Sequence, residues 1–353
     1  MAIHRLTKRV LAGGAAVALA ATSLVACNDD SEEAAEGPIR VGATDDSSRQ
    51  WEVFKEEVEN AGIDMEVVSF SDYNTPNDAL VQGQIDVNQF QHLQFLATYN
   101  VGADEDLVPV GSTEIVPLSL YWKDHDSLEG IEGEDITIPN DSTNQARAIN
   151  VLIQAELIEL ENDDVLEPVP ADIDEEASKV GVIPVDAAQT AIAYGEGNPA
   201  VINNSFLNRA NIDPNEAIFS DDPESELAEP YINTFVTTPE NADDPRIPEL
   251  VEIWHSQPVQ DAIAEDSGGT SVPVQRPVEE LQEILERIEE QLRNEEAAGS
   301  GAEDDADDAD AEDEADEDGD AEDDPESEET DGDEDATTED EENEEEAEEQ
   351  PAA

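Results

Sequence analysis

Between Ile39 and Phe90 the apolar positions change period several times. Ile39-Arg40-Val41-Gly42-Ala43 carries the pattern of a short strand, and Trp51, Phe54 and Val58 then recur at helical spacing behind the capping candidates Asp45 to Ser48. Ile63 to Val68 alternates again, Pro76 to Gln82 opens a helix that Gly83 ends, and Ile85 to Phe90 begins a third strand. Strands separated by single helices at this spacing predict parallel pairing with helices on the faces, which makes the fold class α/β.

The pattern then repeats in a second block. Val108 to Gly111 and Ile115 to Trp122 are apolar runs, and Asp135 to Pro139 is a strand leading into a helix over 140–157 with Ala146, Ile149, Leu152, Ile153 and Leu157 on its inner stripe. Val180 to Val185, Gln189 to Tyr194 and Ala200 to Asn204 add strand and helix candidates. Tyr231 to Thr237 alternates as a returning strand, and Ile247 to Ile263 reads as one closing helix. The order predicts two lobes, one from 38–120 and 231–275 and the other from 121–230. Beyond them, Val278, Leu281, Ile284, Leu285, Ile288 and Leu292 mark an amphipathic helix within 276–294, docked on the body or paired in a short coiled coil.

Charge changes this picture at the C-terminus. The chain has 353 residues, 94 Asp+Glu and 14 Lys+Arg, for a formal charge of −80. Residues 295–353 hold 34 of the acids and no Lys or Arg, with no aromatic or large aliphatic side chain, so this tail is expected to stay disordered. The remaining 294 residues still carry −46, a surface suited to salty or cation-rich surroundings. Such a balance excludes nucleic-acid binding through a basic face. A single Cys allows no intrachain disulfide and no Cys-rich metal site.

That Cys stands where an export signal should end. Arg5, Lys8 and Arg9 precede an apolar stretch of small side chains that closes on Leu24-Val25-Ala26-Cys27, followed at once by polar residues. Residues 1–26 are read as a signal peptide, and the ending resembles the lipobox of bacterial lipoproteins, which implies lipidation at Cys27. Residues 27–37 form a charged tether, and two or more acyl chains anchor stably to a membrane.

Catalytic signatures are missing. There is no GxSxG, HExxH, Walker or GxGxxG string, and His92, His125 and His255 have no metal-ligand spacing, so no enzyme is expected. Binding residues do cluster. Lys123 and Arg147 are the only cations between Glu56 and Ser178. Arg147 follows Asn144 by three residues, on one face of a helix that Asp141, Ser142 or Thr143 can cap, a seat suited to a carboxylate or to an ordinary ion pair. Tyr73, Phe90 and His92, at strand ends in a chain with only 4% aromatics, could line an apolar slot with one polar edge or pack in the core. Asn203 and Asn204 end an apolar strand with amides able to hold an ammonium group.

These strings resemble one known family. VGAT, FSDYNTPNDAL, GQIDVNQFQH, PNDSTNQAR, AVIN and PYINTFVT occur in the order found in methionine-binding lipoproteins, the substrate-binding components of methionine ABC importers. The resemblance covers about 38–272 and implies a periplasmic-binding-protein-like fold of type II, closing over L- or D-methionine. It further implies that Tyr73, Phe90 and His92 surround the side chain, Arg147 holds the α-carboxylate, and Asn144 and Asn203 bind the polar end. The partners implied are an ABC permease with a cytoplasmic ATPase, and the membrane through Cys27, with no cofactor and no metal. Val116 before Pro117, Gln145-Ala146, the Gly195 to Asn198 segment and everything after 275 depart from the family pattern. Another small amino acid or a dipeptide as ligand, or a surface lipoprotein acting through a cation-binding tail, remain the alternative readings.

Overall fold

A computed structural model describes residues 37–162, 165 and 167–307. The expected signal, Cys27 with the tether as far as residue 36, and the tail beyond residue 307 lie outside the described residues. The chain runs β1 (Ile39–Ala43), α1 (Arg49–Ala61), β2 (Met65–Ser69), α2 (Pro76–Val81), β3 (Val87–His92), α3 (Leu93–Ala103) and β4 (Val108–Ile115). It continues through β5 (Ser119–Tyr121), β6 (Asp135–Pro139), α4 (Ser142–Gln154), β7 (Gly181–Val185), α5 (Ala187–Glu196), β8 (Ala200–Ile202), α6 (Leu207–Ala210) and β9 (Phe219–Ser220). Then come β10 (Ile232–Thr237), α7 (Arg246–Trp254), α8 (Gln257–Asp266), β11 (Val272–Pro273) and α9 (Val278–Asp307).

Two sheets result, one per lobe. The first has the order β11-β4-β10-β3-β1-β2, with β1 parallel to both β2 and β3 and the returning β10 antiparallel between β3 and β4. The second has the order β7-β6-β8-β5-β9, with β6 parallel to β7 and β8. Val116-Pro117-Leu118 carries the chain from the first sheet to the second, and the stretch from Asp221 to Tyr231, ending in a 3-10 turn over Glu226–Tyr231, carries it back.

Each sheet owns its core. One face of the first sheet is filled by Trp51, Phe54, Phe235 and Trp254, packed mostly edge to face at centroid distances of 5.0 to 6.3 Å. Gly111 on β4 makes room for α7 there, because a Cβ at that position would lie 2.4 Å from a methyl of Val251. The second sheet packs Ile136, Ile138 and Val201 against Ile149 and Leu152 of α4. Between the lobes lies an aromatic cluster built from both, including Tyr73 and Phe90 of the first and Tyr121 and Phe206 of the second.

The structure corrects several sequence expectations. The apolar run from Ile115 to Trp122 is two strand ends parted by Pro117, which has no N–H to give a ladder. The closing helix over 247–263 is two helices, because Pro258 requires the first turn of a new helix and Ser256 is extended at φ −67° and ψ 150°. Helix α3 escapes the sequence reading, since the apolar residues of Leu93 to Ala103 are scattered around the helix and the buried side, Leu93, Leu96, Ala97 and Asn100, includes a polar residue. Helix α9 begins where expected and continues to Asp307, past the expected end at 294. Its Leu281, Ile284, Leu285 and Ile288 are buried against Leu93, Leu96, Leu107 and Ile232, so this face docks on the first lobe.

Candidate ligand-binding cleft

Phe90 and His92 lie two apart on β3, a strand buried throughout, and so project to the same side of the sheet. His92 also caps α3, its Nδ1 accepting the Phe95 N–H at 3.1 Å. That bond assigns the proton of the neutral ring to Nε2. Nε2 is buried and has no hydrogen-bond partner. Burial and then the neighbouring Arg147 charge lower the His92 pKa to about 3, with the Asn144 amide acting the other way. The imidazole is therefore neutral at physiological pH and offers one unspent donor.

The start of α4 supplies the opposite wall. Asp141 is the N-cap, and its Oδ1 accepts the backbone N–H of Asn144 at 3.0 Å and the side-chain Nδ2 at 2.8 Å. Holding the amide this way leaves the Asn144 carbonyl to accept from Asn203 Nδ2 at 2.8 Å. The Asn203 Oδ1 is then buried without a partner.

Arg147 lies three residues beyond Asn144 and is only 5% exposed. Its Nε donates to Asp221 at 2.7 Å, one Nη donates to the Val116 carbonyl at 2.9 Å, and its guanidinium stacks 4.1 Å from the Tyr231 ring centroid. The other Nη has no protein partner among the described residues. The ordinary ion pair and the anion seat thus coexist: Asp221 orients the fork, and donor capacity is left over.

All six residues singled out from the sequence, Tyr73, Phe90, His92, Asn144, Arg147 and Asn203, line one cleft between the two sheets. Its volume is about 70 Å3. A single water centre takes roughly 10–15 Å3, so the space suits a handful of waters or one small molecule. Its apolar side is a ring cluster, with Tyr73 5.0 Å from Phe206 and 6.0 Å from Phe90, and Phe90 5.8 Å from Phe95. Tyr73 is in the loop after β2 rather than at a strand end.

Sequence reasoning missed Phe95, Asp45 and Glu114 on the cleft wall, and Tyr231 and Asp221 behind Arg147. Phe95 was hidden with α3. The three acids had no signal among 94 of their kind. Glu114 accepts the indole N–H of Trp254 at 3.1 Å, and Asp45 accepts that of Trp51 at 2.8 Å. Burial pushes Glu114 up to about 7 and Asp45 up to about 6, against these hydrogen bonds, which pull the other way. Among the described residues no group of His, Cys, Asp and Glu could hold a metal ion.

The NlpA lipoprotein family profile matches residues 39–275. D-methionine-binding lipoprotein MetQ of Escherichia coli K12 is 31% identical over 256 residues, which span 71% of this chain and 92% of that one. The solved substrate-binding protein of a methionine transporter from Streptococcus pneumoniae is 30% identical with a TM-score of 0.62, over 67% of this chain and 95% of that one. A nutrient-binding protein from Burkholderia cenocepacia, solved bound to methionine, is 30% identical with a TM-score of 0.61, over 67% and 99% of the two chains. With its matched region spanning both sheets and the whole cleft, the chain belongs to the NlpA lipoprotein family.

Proposed function

We propose that this protein captures methionine by closing its two lobes over the cleft and delivers it to an ABC permease driven by a cytoplasmic ATPase. One observation carries the reading. The cleft is aromatic on one side, and on the other it leaves an Arg147 nitrogen, the His92 Nε2–H and the Asn203 carbonyl unspent. Two donors and a cation suit an α-carboxylate, and a buried amide carbonyl suits an α-ammonium group. Aromatic rings suit a thioether, which gains from sulfur–aromatic contact. Nine heavy atoms at roughly −1 kcal/mol each make sub-micromolar affinity attainable.

Thermal shift against a panel of amino acids tests this. Methionine should raise the midpoint most, norleucine less, and glycine little. Equal shifts for all three would reject the aromatic slot as the selective element. The same reading puts the protein on the extracytoplasmic face of the cell membrane, held by lipid on Cys27, and Cys27→Ser should release it from the membrane fraction.

A further inference from the structure

The family match ends at residue 275, and α9 begins at Val278. This helix is nevertheless tied to the ligand cleft. Its apolar face is sunk into the first lobe, with Leu281, Ile284, Leu285 and Ile288 at 0 to 5% exposure. Glu289 accepts from the buried Asn100 side chain at 2.8 Å, which fixes the helix in register. So anchored, it presents Arg287 to Glu229 at 2.5 Å, while Arg276, two residues before the helix and paired with Glu280 in its first turn, lies 3.7 Å from the same carboxylate.

Glu229 belongs to the 3-10 turn Glu226–Tyr231, the return crossover between the lobes. Two residues on, Tyr231 lies against the Arg147 guanidinium at 4.1 Å and edge-on to His92 at 5.2 Å. Behind Arg147, on the side away from the ring cluster, a second cavity is bounded by Asp221, Tyr231 and, from α9, Ile288 and Leu292. The crossover therefore borders open space, and Leu227 in it is 82% exposed.

We propose that Arg276 and Arg287 are positioning residues for the ligand: through Glu229 they hold Tyr231 against Arg147 and His92, so that the helix beyond the family fold sets affinity and slows release. The proposal rests on the reading of Arg147 as the carboxylate anchor. Exposed pairs are worth little singly, but Arg287 on Glu229, with Arg276 shared between Glu229 and Glu280, forms a small network beside the docked helix.

The test measures methionine affinity and dissociation rate in the full chain. Arg276→Glu with Arg287→Glu should weaken binding about tenfold, mainly through faster release, and adding Glu229→Arg should recover most of the loss. Arg287→Gln, which leaves the apolar face of α9 untouched, should weaken binding about threefold, and gives the answer if the double reversal fails to fold. Unchanged affinity in these variants, or a loss that Glu229→Arg does not recover, overturns the coupling alone. Absence of methionine binding by the unaltered chain overturns the reading of Arg147 and the coupling with it.

Discussion

Arg147 was legible in the sequence because cations are scarce, while its partner Asp221 was not, because acids are everywhere. The same asymmetry applies to the titrating groups. His92 stood out as a rare residue, whereas Glu114 became visible only when the fold buried it beside Trp254. Their pH effects have opposite signs. The folded pKa of His92 is depressed to about 3, so its contribution to stability is present above about 6.5 and is lost as pH falls toward 3. Glu114 is raised to about 7, so its contribution is present below about 4.5 and is lost as pH rises to 7. Glu114→Gln keeps an acceptor for the indole and should stabilise the protein by about 2–3 kcal/mol at pH 8, with little effect at pH 4.5. Thermal unfolding at the two pH values checks this, and equal effects at both would contradict it. At the ring wall, Phe90→Ala should weaken methionine more than glycine in competition binding, and equal losses would make Phe90 only a core residue.

Elements with a clean period were readable, and those without one were not. Strands β1 and β6 and helices α1 and α4 lie close to where their alternation or apolar stripe predicts. Helix α3 escaped because its apolar residues are scattered around the helix, and the closing helix was overextended because the stripe continues across Pro258. The family resemblance stopped at 275, so only periodicity could speak for α9, and it could not choose between the body and a partner. Burial of the stripe decides for the body. Leu281→Ala, at a fully buried position, should therefore cost about 2–5 kcal/mol in chemical denaturation. A loss below about 0.5 kcal/mol would mean that α9 contributes no core.

At the scale of the molecule, charge and fold pull against each other. The 294 residues before the acidic tail carry −46, and the buried Asp45 and Glu114 are themselves raised by burial, with the Asp45 charge adding to the effect on Glu114. Self-repulsion of this size is screened over about 10 Å at 0.1 M salt and about 3 Å at 1 M. The unfolding midpoint should consequently rise steadily between 0.1 and 1 M sodium chloride, and a flat profile would show that the surface charges are already neutralised. Charge also explains what the sequence concealed: where acids are abundant, no single one can be singled out until the chain brings it to a cleft. A scarce cation such as Arg147 is the opposite case. Calorimetric titration of the full chain with L-methionine, before and after Arg147→Ala, addresses it directly. Micromolar or tighter binding should weaken by about 2–5 kcal/mol, at least thirtyfold, when the guanidinium is removed. Affinity that survives the substitution unchanged would contradict the account.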